Sequence, residues 1–80
     1  MPVSETPAVE RIARVLAAQR LSSNADGVEP SAAKTVDLEW KAHRDDALAI
    51  LRTLREPDSR MAANGDEQVW SRMIEAAIEG

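Results

Sequence analysis

The feature that most constrains how this chain folds is one amphipathic run in the middle of the sequence, from Leu38 to Pro57. Its apolar residues recur at steps of three and four, which places them on one side of an α-helix. They are Trp40, Ala47, Ile50, Leu51 and Leu54. No glycine interrupts the run, and Pro57 disfavours helical geometry at the residue before it. The pattern therefore predicts a long central helix that ends near Glu56.

Two starting points compete for this central helix. Thr35 can cap a helix, and Asp37 and Glu39 would then place negative charge in the first turn, where the helix dipole favours it. Alternatively, Ser31 caps the helix and the apolar stripe gains a further turn. We prefer a start near Thr35 and keep the start near Ser31 open.

The amino-terminal part of the chain predicts one helix and one long loop. Residues 1–5 precede any helix signal and are expected to be frayed. Thr6 followed by Pro7 is typical of a helix start, and an apolar stripe then continues towards Arg20. Residues 22–34 contain Ser, Asn, Asp, Gly and Pro, which favours a loop. We therefore expect a first helix from Pro7 to Arg20 and a loop over residues 22–34.

The carboxyl-terminal part predicts a short helix followed by a longer one. Asp58 can cap a helix over residues 59–63, and the pair Asn64–Gly65 is typical of a turn. Asp66 can cap a second helix over residues 67–79. The apolar stripe of this longer helix contains Trp70, Met73, Ile74 and Ala77, with Val69 and Ile78 at its edges.

These helices predict an all-α fold. We expect residues 1–80 to form a single domain, a small bundle of three main helices plus one short connecting helix. A chain of 80 residues buries only about 60% of its unfolded surface, and without cysteine no disulfide can brace it. Stability must therefore come from helix packing. The residues predicted to meet in the core are Ile12, Leu16, Trp40, Leu51, Leu54, Trp70 and Ile74.

Charge and hydropathy disfavour several classes of protein. The net charge of −4 argues against nucleic-acid binding, which usually needs a basic surface. No apolar run approaches the roughly 18 residues of a membrane span. The first ten residues lack the basic and apolar regions of a signal peptide. A cytoplasmic location is the resulting expectation.

Candidate catalytic and metal-binding groups are few. Glu39, His43 and Asp46 are spaced four and three apart, so a helix could present them to a divalent metal. However, His43 falls within the apolar arc, and the sequence contains no second histidine. A partly buried His43 beside Trp40 is the preferred interpretation. Because the usual catalytic motifs and phosphate-binding loops are absent, we expect no enzyme activity, no cofactor and no metal.

The two carboxyl-terminal helices also permit a helix-turn-helix interpretation. Helices 59–63 and 67–79 joined at Gly65 have the outline of that motif. The second helix offers Gln68 and Arg72 for base contacts, but it also carries several glutamates that phosphate would repel. A DNA-associated regulator is therefore the alternative functional interpretation.

The order of residues resembles a group of small uncharacterised proteins from bacteria and their prophages. The residues that carry the resemblance are the stretch 9–14, Trp40, Ala47, Leu48, Leu51 and Leu54, and then Arg55-Glu56-Pro57, Met61, Gly65, Trp70 and the stretch 73–77. The similarity covers most of the chain, excepting residues 1–6 and the loop. It implies an association with prophages and supports the helix boundaries. It implies no activity.

The preferred functional interpretation is a noncatalytic protein–protein interaction or accessory module. So small a bundle rarely buries every apolar residue, and leftover apolar surface can serve a protein partner or self-association. We expect this surface either around Val28 and Leu38, where the loop meets the central helix, or at the outer edge of the last helix around Ile78. Met61 and Met73 could line a binding groove as well, although core filling is preferred for both.

Overall fold

Helices form every regular element in residues 3–24 and 32–80, which are the parts that the computed structural model describes. In chain order they are α1 (Ala8–Asn24), α2 (Ala32–Glu39), a 3-10 turn (Trp40–His43), α3 (Arg44–Leu54), α4 (Ser59–Ala62) and α5 (Glu67–Glu79). The prediction of a small all-α bundle is confirmed. The predicted partner residue Val28 and the alternative cap Ser31 lie outside the described residues.

The first helix is longer than its predicted span of Pro7 to Arg20. It begins at Ala8, where the Arg11 amide donates to the Pro7 carbonyl at 3.1 Å, and it continues to Asn24. Residues 22–24 and 32–34 are helical, so the predicted loop over residues 22–34 is wrong at both ends. The polar residues after Leu21 are weak helix formers, but propensity is a small term that packing overrides. Leu21 is itself half-buried, so packing of α1 extends past Arg20.

One row of buried side chains on α1 forms a large part of the core. Val9, Ala13 and Ala17 are spaced four apart and all three are buried. Around this row α1 packs against α2, the 3-10 turn and α3, while α5 packs mainly against α3. Ala47 and Leu51 are the buried residues of α3. The core therefore lies between α1 and α3, and α5 closes it from one side.

The predicted central helix is two helices joined by the 3-10 turn. The preferred start at Thr35 is wrong, because α2 already begins at Ala32. The end predicted near Glu56 comes earlier, since α3 stops at Leu54. At His43 the backbone dihedrals of φ −100° and ψ 6° leave the α region. A 3-10 turn of four residues shifts the helical phase by about 80°, so α3 presents a different arc to α1.

This change of phase explains which predicted core residues are buried. Leu51 and Ile74 are buried as predicted, whereas Leu54 is 38% exposed and its prediction is wrong. The other predicted core residues are partly buried and pack against the core; they are Ile12, Leu16, Trp40 and Trp70. On α3 the buried side is shifted from the predicted one towards Leu48, which also packs against the core.

The short helix and its flanking caps follow the sequence closely. The Asp58 carboxylate accepts the Met61 amide at 2.9 Å, and the Asp66 carboxylate accepts the Gln68 and Val69 amides at 2.9 and 3.0 Å. Both predicted caps are therefore confirmed. In the turn between these helices the Asn64 side-chain amide donates to the Arg60 carbonyl at 2.9 Å. The sequence places this turn correctly because capping chemistry is local.

The buried row predicts a strong dependence of stability on side-chain size at one position. We expect Ala13→Leu to lower the free energy of unfolding by about 1–3 kcal/mol, because the extra atoms overpack a site with no free space. The matched control is Ala18→Leu on the exposed side of the same helix, which should change it by less than about 0.5 kcal/mol. Urea unfolding followed by circular dichroism measures both. Equal effects at the two positions would contradict the packing described for α1.

Candidate functional site

Leu38 and Ile78 are the two residues predicted to bind a partner that lie in the described parts of the chain. Leu38 on α2 is 77% exposed and lines a shallow cleft with the end of α1 and the 3-10 turn. Ile78 lies at the other end of the chain, where it is partly buried and packs against the core. Leu38 is therefore more exposed than Ile78, and partner binding at either residue stays a prediction.

His43 ends the 3-10 turn and is half-buried. A 3-10 turn advances by about 120° per residue, so four residues from Glu39 to His43 separate the two side chains by about a third of a turn. Within the described parts of the chain, no three His, Asp or Glu side chains are close enough to hold a metal ion. Asp46 lies exposed in the first turn of α3, where the helix dipole favours its charge.

The largest exposed apolar side chain of the last helix is Met73, which is 63% exposed. Val69, one helical turn earlier, is 41% exposed, and Ala76 continues the same side of the helix. We call Val69, Met73 and Ala76 the outer row of α5. Methionine at this position was expected to fill the core, and that expectation is wrong. The core side of α5 is formed by Ile74, with Trp70, Ala77 and Ile78 packed beside it.

An apolar cleft of about 400 Å³ adjoins the outer row. Met61 and Ala62 of α4 form one wall, and Val69, Trp70 and Met73 form the other. The rim carries polar groups from the turn between the helices, namely Asn64, Asp66 and Glu67. A wider depression of about 610 Å³ lies beside Pro57, but charged and hydroxyl side chains line most of it. The apolar cleft is the better candidate site because thioether and aromatic groups can repack around a ligand.

Two side-chain hydrogen bonds hold α5 against the end of α3. The Trp70 indole N–H donates to the Leu54 carbonyl at 2.7 Å, and the Ser71 hydroxyl donates to the Arg55 carbonyl at 2.9 Å. Carbonyls at a helix end lack partners within the helix, so these donors satisfy groups that would otherwise need water. An ion pair of 3.7 Å joins Arg55 to Glu75 nearby. Together these contacts fix the rotation of α5, and the outer row is thereby held away from the core.

Arg14 links α1 to α2 through its guanidinium group. Its guanidinium donates to Glu10 at 2.8 Å and to Asp37 on α2, and it lies 5.4 Å from the ring centroid of Trp40. The hydrogen bonds to Asp37 and then to Glu10 raise the pKa of Arg14. The Arg14 charge is thus matched by two carboxylates.

Comparison of the chain with known protein families, with curated proteins and with solved structures finds no match in any of the three. The resemblance to small bacterial and prophage-associated proteins therefore stays a prediction.

The sequence contains a signal for the outer row in the spacing of its apolar residues. Val69, Met73 and Ala76 are themselves spaced four and three apart, so α5 carries two apolar sides rather than one. Periodicity shows that both sides exist. It does not decide which of them faces α3, because that choice depends on the bonds from Trp70 and Ser71 across sixteen residues.

The indole hydrogen bond predicts a difference between the two tryptophans. Trp70→Phe should lower the free energy of unfolding by about 0.5–1.5 kcal/mol more than Trp40→Phe. Both changes remove similar ring area. Of the two indole groups, only that of Trp70 donates to a backbone carbonyl among the described residues. Urea titrations of the two variants give the comparison. A larger loss in Trp40→Phe would contradict the role assigned to the Trp70 bond.

Proposed function

We propose that this chain is a noncatalytic protein–protein interaction module that binds its partner through the outer row of α5 and the cleft beside it. The observation that carries this proposal is the exposure of Met73 and Val69 next to an apolar cleft. Burial of apolar surface contributes roughly 25 cal/mol per Å², so a partner that covers these side chains gains affinity. Contiguous apolar surface on a small protein is typical of an interaction site.

The chemistry of the cleft supports a protein partner more than a small polar ligand. The Met61 and Met73 thioethers and the Trp70 ring offer adaptable apolar contacts. The polar groups lie at the rim, where Asp66 and Glu67 belong to the start of α5. An apolar centre with a polar rim is the usual arrangement of a protein–protein interface.

A DNA-associated regulator remains the alternative, and the exposed charges of α5 count against it. In the helix-turn-helix interpretation α5 would enter the major groove, yet it exposes Glu67, Glu75 and Glu79. Arg72 and Gln68 are the groups suited to base contacts on that helix. On α1, Arg14 is already engaged by two acids. A net charge of −4 adds a general repulsion of phosphate.

The location and origin of the protein belong to the same proposal. No helix in the described parts of the chain is long and apolar enough to cross a membrane. A cytoplasmic location and an origin in phage or mobile elements are carried by the sequence and by the resemblance alone. Both are consistent with an accessory interaction module.

A comparison of two surface variants tests the proposed function. We expect Met73→Glu to abolish capture of partner protein by the immobilised chain, because it places a charge in the centre of the outer row. The matched control is Val15→Glu, at a position on α1 that is 55% exposed, and it should capture as the unaltered chain does. The bait is incubated with lysate from the source cells, and bound proteins are compared by mass spectrometry.

A titration with duplex DNA at two salt concentrations completes this test. The proposal predicts no more than weak binding. Tight binding that falls steeply with salt, together with equal capture by the two variants, would overturn the interaction module and favour the DNA-associated regulator.

A further inference from the structure

We propose that Met73 is a peroxide-sensitive site, at which oxidation of the thioether to the sulfoxide changes the outer row of α5 from apolar to polar while the bundle stays folded. The oxidation is a property of the residue and needs no partner. Its effect on partner binding rests on the proposed function. Three features carry the proposal: the exposure of Met73, its place in the outer row, and its separation from the core.

The exposure of Met73 distinguishes it from the other methionine in the described parts of the chain. Met73 is 63% exposed, whereas Met61 is half-buried in the wall of the cleft. The sulfur of a methionine lies near the outer end of its side chain, so at Met73 it is open to dissolved oxidants. Access to the sulfur sets the order in which methionines react with a hydroperoxide. We therefore expect Met73 to be oxidised before Met61.

The reaction with hydrogen peroxide is a two-electron oxidation of the sulfur. A sulfur lone pair attacks one peroxide oxygen, and the S–O bond forms as the O–O bond breaks. The proton of the transferred hydroxyl passes to the departing hydroxide, which leaves as water. The thioether is thereby oxidised to the sulfoxide and the peroxide is reduced. Methionine sulfoxide reductases reverse the change with two electrons from a dithiol, and the oxygen again leaves as water.

The place of Met73 gives the added oxygen a large effect on the surface. Met73 lies between Val69 and Ala76 in the outer row, and it lines the apolar cleft together with Met61 and Trp70. The sulfoxide oxygen is a hydrogen-bond acceptor, so apolar groups that cover it leave a polar atom without a partner. Burial of an unpaired polar group costs free energy. The same contact therefore favours a partner before oxidation and opposes it afterwards.

The separation of Met73 from the core keeps the fold intact after oxidation. Ile74 forms the core side of α5, and Met73 points about 100° away from it. The hydrogen bonds that hold α5 against α3 come from Trp70 and Ser71. The added oxygen at Met73 meets water rather than the core, whereas the same oxygen on a buried methionine would disrupt packing.

Peptide mapping after limited treatment with hydrogen peroxide tests which methionine reacts. Trypsin cleaves after Arg60 and Arg72, so Met61 and Met73 fall in separate peptides, and mass spectrometry gives the oxidised fraction of each. We expect Met73 to be oxidised about threefold or more faster than Met61, because it is more exposed. Equal rates at the two residues, or a faster reaction at Met61, would overturn the proposal.

The change of surface polarity is measured with Nile red, a neutral dye whose emission increases on apolar surface. Each variant is compared with its own untreated sample. Oxidation should lower the dye emission of the unaltered chain about twofold, and that of Met61→Leu by as much. In Met73→Leu, which has no sulfur in the outer row, peroxide should change the emission by less than about a tenth. An equal loss in Met73→Leu and in the unaltered chain would overturn the proposal.

The fold of the oxidised chain is checked by urea unfolding followed by circular dichroism. The urea midpoint of the chain with oxidised Met73 should stay within about 0.3 M of the untreated value, because the core side of α5 is unchanged. Loss of helix on oxidation of Met73 would show that the residue serves packing, and it would overturn the proposal.

Capture of protein from lysate of the source cells separates this inference from the proposed function. The unaltered chain should lose its captured protein on oxidation, whereas Met73→Leu should capture equally before and after peroxide. If no form captures a protein, the interaction module fails, while selective oxidation and the fall in dye emission still support the peroxide-sensitive site. If the unaltered chain captures a protein equally well before and after oxidation, the interaction module stands and the change of binding proposed for Met73 is overturned.

Discussion

The packing of α2, the 3-10 turn and α3 depends on the row of small side chains along α1. Ala13 and Ala17 on α1 and Ala47 on α3 are completely buried. An alanine at such a position lets neighbouring backbones approach closely, but it removes only one methyl group from water. The core is consequently tight and small. Its larger members, including Trp40 and Trp70, lie at its edge and keep part of their surface exposed.

A small core leaves apolar surface outside, and the bonds between α3 and α5 determine where that surface lies. Trp70 and Ser71 donate to the last carbonyls of α3, which fixes α5 with Ile74 inward. Met73 is adjacent to Ile74 in sequence and therefore points about 100° away from it. The radius of gyration of 15.0 Å, against about 12 Å for a compact chain of this length, agrees with an open bundle. A partner that covers the outer row would bury apolar surface that one chain leaves exposed.

Local chemistry made part of this structure predictable from the sequence. Asp58 and Asp66 cap their helices because a carboxylate next to free amides acts within three residues. The break at the 3-10 turn was not predictable in this way. A spacing of three keeps side chains on one side of both helix types, so hydrophobic periodicity does not reveal a short 3-10 turn or the change of phase that it causes. For the same reason Leu54 was assigned to the core, although it lies at the exposed edge of α3.

The candidate site was harder to predict than the fold because it depends on contacts between distant residues. Periodicity predicts Met73 in the core, whereas the structure exposes Met73 and packs the partly buried Ile78 against the core. Both residues belong to apolar spacings on one helix. Which spacing faces inward is decided by donors that reach across to α3.

A cross-linking comparison of two single-cysteine variants tests the central claim most directly, because the chain has no cysteine of its own. A photo-cross-linker attached to the thiol of Met73→Cys should couple to a partner protein from lysate of the source cells, because the outer row is exposed beside the apolar cleft. The same reagent on Val15→Cys, at an exposed position of α1, should couple to no protein above background. Equal coupling from the two positions would contradict the claim that the outer row of α5 binds a partner.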